Sequence, residues 1–245
     1  GGAVHITGDN NSVIKSYFDD NFAQGGNGSA IYVHGENASA HASFFYNHGC
    51  EKGTVYIEGN HFTCNNSEFK NNTASHGGAG IYVEGDYSYI DNSVFINNNA
   101  SRHGGAIHSI GSNAKILNSE FRNNHAIPSS TDQDYGLGGA IFINGRDNEI
   151  SYSKFKHNTA RNGSAIYNNG DDLILNDDTF DKLDEICNSI EDGNHSLINK
   201  IINMDFTNDG LGNIKIESDV EYLYKFTRIH DENVSTELAI EFVAK

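Results

Sequence analysis

Hydrophobic and polar positions alternate in short runs, such as Ile31-Tyr32-Val33 and Ile141-Phe142-Ile143, bounded by residues rich in glycine and asparagine. A two-residue period sends neighbouring side chains to opposite faces, so these runs predict short β-strands. The runs also repeat. Seven segments align without gaps over fifteen positions. Each opens with a small and an aliphatic residue: Ala3-Val4, Ala30-Ile31, Thr54-Val55, Gly80-Ile81, Ala106-Ile107, Ala140-Ile141 and Ala165-Ile166. Glycine follows four residues after the aliphatic, and phenylalanine fourteen after it, in every copy. The phenylalanines are Phe18, Phe45, Phe69, Phe95, Phe121, Phe155 and Phe180, spaced by 27, 24, 26, 26, 34 and 25 residues. Serine stands two before the phenylalanine in six copies, and asparagine three after it in five.

A period near 25 residues is too short for a pair of packed helices. The spaced leucines of a leucine-rich repeat are missing, and a propeller blade needs about 40 residues. Stacked short strands with Gly and Asn turns predict an all-β fold, a right-handed parallel β-helix of about seven coils over residues 1–183. The aliphatic pairs, such as Ile31 with Val33 and Val55 with Ile57, are expected to point inward. The phenylalanines are expected to stack on the opposite wall. Glycine at the first corner suggests a left-handed backbone angle there. Asparagine after phenylalanine also tolerates such a corner, and its amide can bond adjacent coils and stack in a ladder.

The repeat stops near Leu183. Residues 184–204 fit a short helix or an irregular final coil, with Ser196 capping a turn over Leu197–Ile202. Ile214–Ile216, Tyr222–Phe226 and Leu238–Phe242 read as strands. Residues 184–245 are therefore expected to form a C-terminal cap or small β-rich module, or else the first part of a next domain. Gly1–Val4 shows no charged n-region or apolar h-region, so any export signal is expected outside this chain. A chain that starts directly on a repeat is also expected to continue upstream.

Composition narrows the partners. The chain has 245 residues, Lys+Arg 16 against Asp+Glu 33, and a formal charge of -17. This excess argues against nucleic acid and against an anionic membrane surface. No apolar run approaches the ~20 residues of a spanning helix. With 37% hydrophobic and 11% aromatic residues, the chain is not a disordered acidic tail. Cys50, Cys64 and Cys187 form no metal or redox motif, and Cys50 and Cys64 read as inert buried thiols. The 33 asparagines include nine sequons, beginning at Asn10, Asn27, Asn37, Asn65, Asn71, Asn99, Asn162, Asn194 and Asn233, which suit a secreted protein.

Gly104-Gly105-Ala106-Ile107 with Phe121-x-x-Asn124, and Gly138-Gly139-Ala140-Ile141 with Phe155-x-x-Asn158, resemble a known repeat. It is that of the chlamydial polymorphic outer membrane proteins, and of the adhesin-like proteins of methanogenic archaea. The resemblance covers roughly residues 1–183. It implies an exported, surface-displayed β-helix used for adhesion. Coil 2, with His48 for asparagine, and coil 7, with Leu183, depart from the pattern.

Three features are candidates for contact or chemistry. The residue after each inward aliphatic is His5, Tyr32, Tyr56, Tyr82, His108, Phe142 or Tyr167, an outward stripe whose flat rings can stack on sugars or merely stabilise neighbouring strands. The long connection 127–137 holds the only proline, and its Asp132, Asp134 and Tyr135 can reach a ligand or a cation, or be a tolerated insertion. The acid clusters around Asp171, Asp172, Asp177, Asp178, Asp181 and Asp184 are of the kind that polysaccharide hydrolases use as paired carboxylates, and that supply oxygen ligands to calcium. Asp171 simply follows the corner glycine, as Asp9 and Asp86 do, and Asp178 takes the repeat's serine position, so a solvated turn is the preferred reading. Turn histidines His76, His103 and His125 read as solvated.

The leading expectation is a non-enzymatic adhesin domain at the cell surface, extracellular, binding a glycan or protein of a host or partner cell. Its ligand-binding residues are Tyr32, Tyr56, Tyr82, Phe142 and Tyr167 with Asp132, Asp134 and Tyr135. No catalytic residue is assigned, and no cofactor is expected beyond calcium at the acids. The rival readings are a tailspike- or pectinase-like polysaccharide hydrolase or lyase, and a purely structural stalk.

Overall fold

The computed structural model describes residues 1–128, 135–176 and 178–180. Beyond them it describes the backbone of strands Ile186–Asn188, Ile198–Ile202, Asp205–Asn208, Gly212–Lys215, Leu223–Phe226 and Ile240–Val243. The chain winds as a β-solenoid. Its first sheet carries the aliphatic strands Val4–Ile6, Ile31–Val33, Val55–Ile57, Ile81–Val83, Ile107–Ser109, Ile141–Ile143, Ile166–Asn168 and Ile186–Asn188, paired in sequence order. A second sheet runs from Ser12–Ile14 to Ile198–Ile202, and a third carries the phenylalanine strands from Tyr17–Asp19 to Asp205–Asn208. Between the third and first lies a shorter sheet, Gly49–Lys52, Thr73–Gly77, Asn99–Ala100, His125–Ala126 and Thr159–Ala160, which the alternation does not suggest. The small residues Ala74, Ala100 and Ala126 are buried there, and no longer side chain repeats to mark it.

Register is kept residue on residue: Phe18 pairs with Phe45, then with Phe69, Phe95, Phe121, Phe155 and Phe180. Their rings stack at 4.6–5.2 Å with planes within 13°. Ile31, Val33, Val55, Ile57, Ile81 and Val83 face these rings as expected, and with Cys64, Ile90, Ile116, Ile150 and Leu175 they close one core. Burial pushes the Cys64 thiol up to about 12 and the Cys50 thiol up to about 11, so both stay protonated.

Buried polar ladders hold the corners. Asn98 Nδ2 donates to the Phe69 carbonyl one coil away at 3.0 Å, while its Oδ1 accepts the Asn72 backbone N–H and side-chain amide at 3.2 and 2.9 Å. Asn124 repeats this pattern with Phe95 and Asn98. Each serine hydroxyl in the Ser43, Ser67, Ser93, Ser119 series accepts the backbone N–H of the serine one coil earlier at 3.2 Å. Asp178 continues the series by accepting the Ser153 N–H at 2.8 Å. Every such amide or hydroxyl is thus both desolvated and paired.

Two corner expectations are corrected. Gly35, Gly59, Gly85, Gly111, Gly145 and Gly170 do not have positive φ. A β-carbon there would collide with the carbonyl of the corner glycine one coil earlier, so close approach excludes a side chain. The left-handed residues lie two positions later: Asn10, Asn37, His61, Tyr87, Asn113, Asp147 and Asp172. Likewise the left-handed corner after phenylalanine falls at Asp20, Asn47, Asn71, Asn97, Asn123 and His157, one residue before the position that holds asparagine in five coils and His48 in coil 2.

Past residue 183, Ile186–Asn188, Ile198–Ile202 and Asp205–Asn208 pair in parallel with the preceding coil. Leu197–Ile202 was open to a helix; Ile198–Ile202 is a strand, in keeping with three β-branched isoleucines. Gly212–Lys215 turns back antiparallel on Asp205–Asn208, and Leu223–Phe226 pairs antiparallel with Ile240–Val243.

Phe95→Ala should cost about 3–5 kcal/mol through the cavity it leaves. Asn98→Ala should cost about 1–3 kcal/mol for each group it orphans. Exposed Lys154→Ala should stay within about 0.5 kcal/mol. Urea unfolding midpoints measure all three, and equal midpoints would contradict the ladders' role.

Candidate functional site: the covered aromatic stripe and the open outer faces

The stripe is in register, His5 on Tyr32, Tyr56, Tyr82, His108, Phe142 and Tyr167. Its ring centroids from Tyr32 to Tyr167 are 4.4–5.7 Å apart. The expectation of open ring faces is corrected at its centre. Tyr56, Tyr82, His108 and Phe142 are 2–7% exposed, whereas Tyr32 and Tyr167 are half-buried. The cover comes from the turns that precede the small-aliphatic pairs. Lys52 Nζ sits 5.0 Å from the Tyr82 ring centre and 6.0 Å from that of Tyr56. His103 stacks on Phe142 at 4.8 Å, Tyr135 meets His103 edge-on at 6.0 Å, and Arg102 lies 4.6 Å from the Tyr135 ring centre. Tyr135 of the long connection is therefore joined to the stripe. Asp132 and Asp134 lie outside the described residues.

The tyrosine tips are also engaged. Tyr32 donates to Glu58, Tyr56 donates to Glu84 at 2.6 Å, and Lys52 Nζ is 3.6 Å from Glu84. The bond to Glu58, then burial, pushes the Tyr32 hydroxyl up to about 12. Burial and the Glu84 bond push Tyr56 higher still. Burial alone would raise Glu58, but hydrogen bonds from Tyr32 and His34 hold it below the usual carboxylate range.

His76 and His103 are not solvated turn residues. With His108 they form a triad whose ring centres are 5.8–6.3 Å apart. Each has a buried Nδ1 with no hydrogen-bond partner among the described residues. Burial first lowers their pKa values, joined by the Arg102 and Lys52 charges at His76, by His76 and Arg102 at His103, which falls to about 4, and by His103, His76 and Lys52 at His108. Glu51 opposes this only at His76. The repeated His-Gly-Gly-Ala at His76 and His103 was the sequence signal for this cover. Among the described residues, no group of three or more His, Cys, Asp or Glu is disposed to hold a metal ion. No described helix is long and apolar enough to cross a membrane.

The acidic turns bind backbone. Asp9 Oδ1 accepts the Glu36 N–H at 2.9 Å and Asp86 Oδ1 the Ser112 N–H at 2.8 Å. Asp171 lies 3.6 Å from Arg146 Nε, and Asp172 holds the left-handed corner position. Asp177, Asp181 and Asp184 lie outside the described residues.

Exposed aromatic side chains stand elsewhere: Tyr17, Phe44 and half-buried Tyr46 on the third sheet, Tyr87 stacked on His61 at a corner, and Phe22, Tyr89 and Tyr152. Only coils 1 and 2 put aromatic residues beside the repeat phenylalanine, a signal the repeat alignment averages away.

Residues 66–84 and 92–110 match the family model of the Chlamydia polymorphic membrane protein repeat. Each match runs from a Phe-x-x-Asn, Phe69 to Asn72 or Phe95 to Asn98, through the histidine turn to the first sheet. No curated protein and no solved structure matches the chain.

Neutral buried histidines favour the folded state above their unfolded pKa of about 6.5, and this stability is lost as pH falls towards the lowered folded values. The thermal midpoint should therefore fall between pH 6.5 and pH 4, the window of His103. His103→Phe, which keeps the ring on Phe142, should flatten that fall by several degrees in circular dichroism melts. An unchanged slope would mean that His103 is not the sensor.

Proposed function

We propose that this chain is an exported, cell-surface, adhesin-like module that is not an enzyme, and that it binds a glycan or protein on a partner cell. The observation that carries this reading is the family match, whose two segments coincide with coils built on the phenylalanine and asparagine ladders. Polymorphic membrane protein repeats suggest a surface-associated protein. The candidate acids that are described support the non-enzymatic part, since Asp178 accepts the Ser153 N–H and Asp171 lies beside Arg146. The buried centre of the stripe supports contact through uncovered surfaces, with Tyr32, Tyr135 and Tyr167 at the margins of the cover.

Beads coated with the purified chain should attach saturably to a panel of cells, several-fold above albumin-coated beads, and free chain should compete. Absence of competed attachment to any cell would favour the stalk. Sustained release of reducing sugar or unsaturated product from polysaccharides would favour the enzyme.

A further inference from the structure

The outer face of the third sheet changes character along the solenoid. Each repeat phenylalanine points inward, so its two strand neighbours point outward. In coils 3, 5 and 6 those neighbours are Glu68 and Lys70, Glu120 and Arg122, and Lys154 and Lys156; in coil 4 they are Val94 and Ile96. In coils 1 and 2 they are Tyr17 with Asp19 and Phe44 with Tyr46. Tyr17 is 63% exposed and Phe44 41%, so two large rings stand in water where later coils mostly place charges.

The three rings meet differently from the stripe. Tyr17 and Tyr46 are 5.5 Å apart at 88°, Tyr17 and Phe44 6.4 Å at 41°, and Phe44 and Tyr46 6.1 Å at 60°. Their planes cross, so they do not consume one another's faces as the parallel rings do. These are contact separations, which leave no box between the rings for a quaternary ammonium ion. Among the described residues no turn covers Tyr17 or Phe44 as the histidine turns cover the stripe, in keeping with their exposure.

The rim supplies acceptors. Asp19 is exposed, and its Oδ1 is fixed by the Asn47 side-chain amide at 2.9 Å. Glu68 lies beside Phe44 in register, and burial first, then this carboxylate, push the Tyr46 hydroxyl up to about 12. Lys70 beside Tyr46 is the one cation of these three coils on this face, and the chain as a whole carries a charge of -17. Rings for C–H groups, flanked by carboxylates that accept from hydroxyls, suit a sugar without its own negative charge.

We propose that Tyr17, Phe44 and Tyr46 form a platform for the apolar face of an uncharged pyranose, with Asp19 and Glu68 accepting hydrogen bonds from its hydroxyls. The platform deepens the adhesive reading and rests on it for its setting. If it fails while coated beads still attach to cells, the platform is lost and that reading stands.

Native affinity electrophoresis tests it, with hydroxyethylcellulose, galactomannan and mannan as neutral probes and polygalacturonate as the anionic one. The chain should be retarded in at least one neutral gel. Retardation should weaken about tenfold in Tyr17→Ala and in Phe44→Ala, and persist in Tyr17→Phe, which keeps the ring. Lys154→Ala, farther along the same face, should bind like the parent. Both alanine variants replace exposed side chains, and unchanged melting curves confirm their folding. The proposal is overturned if no neutral gel retards the chain, if only polygalacturonate does, or if the alanine variants are retarded like the parent. It is also overturned if choline resin retains the chain through Tyr17, or if sedimentation shows self-association that Tyr17→Ala abolishes, since the face would then bind an ammonium ion or a second copy.

Discussion

Everything in this fold depends on one coil lying over the next with each residue above its counterpart, at the ~4.8 Å spacing of paired strands. That spacing is shorter than most side chains are long, so only chemistries that stack on themselves survive at a repeated position. Phenylalanine does so by ring stacking, asparagine and serine by passing hydrogen bonds along the axis, and glycine by leaving room for a carbonyl. Buried amides are ordinarily a liability. Here Asn72, Asn98, Asn124 and Asn158 find partners in the identical residue one coil away, so the repeat itself satisfies them.

The same constraint acts on the outward face. Tyrosines aligned over one another stack as readily outside the core as phenylalanines do inside it, and the resulting apolar strip is worth covering. The segments carrying Lys52, His76, His103 and Tyr135 supply that cover, and the cost is three imidazoles whose buried Nδ1 atoms find no partner among the described residues. A second, thinner core therefore lies outside the first sheet, while Tyr17 and Phe44, whose planes cross instead of stacking in file, stay exposed.

The repeating residues made the solenoid readable from sequence: the alternation at Ile31-Tyr32-Val33 and the fixed offset to phenylalanine name the sheets, the inward faces and the file of rings. The corners were less readable. Glycine at a turn suggests a backbone angle, and nothing in a single copy shows that a carbonyl from the preceding coil fills the space beside Gly85. The stripe was found, but not its burial, because alternation tells which side a residue faces and not what lies above it. His76 and Lys52 reach Tyr82 from turns whose path the pattern does not encode. The platform residues were invisible for the opposite reason, since they belong to two coils and not to the repeat.

Hydrogen exchange of the asparagine side-chain amides tests the central claim most directly. If the coils superpose as described, the Nδ2 protons of Asn72, Asn98, Asn124 and Asn158 should be protected to the same order as the backbone N–H groups of the phenylalanine strands. The exposed Asn47, Asn71 and Asn97 amides, hydrogen-bonded only at the surface, should exchange much faster than these. Fast exchange at Asn98 and Asn124 in the folded chain would mean that the ladders do not exist and that the coils are not in register.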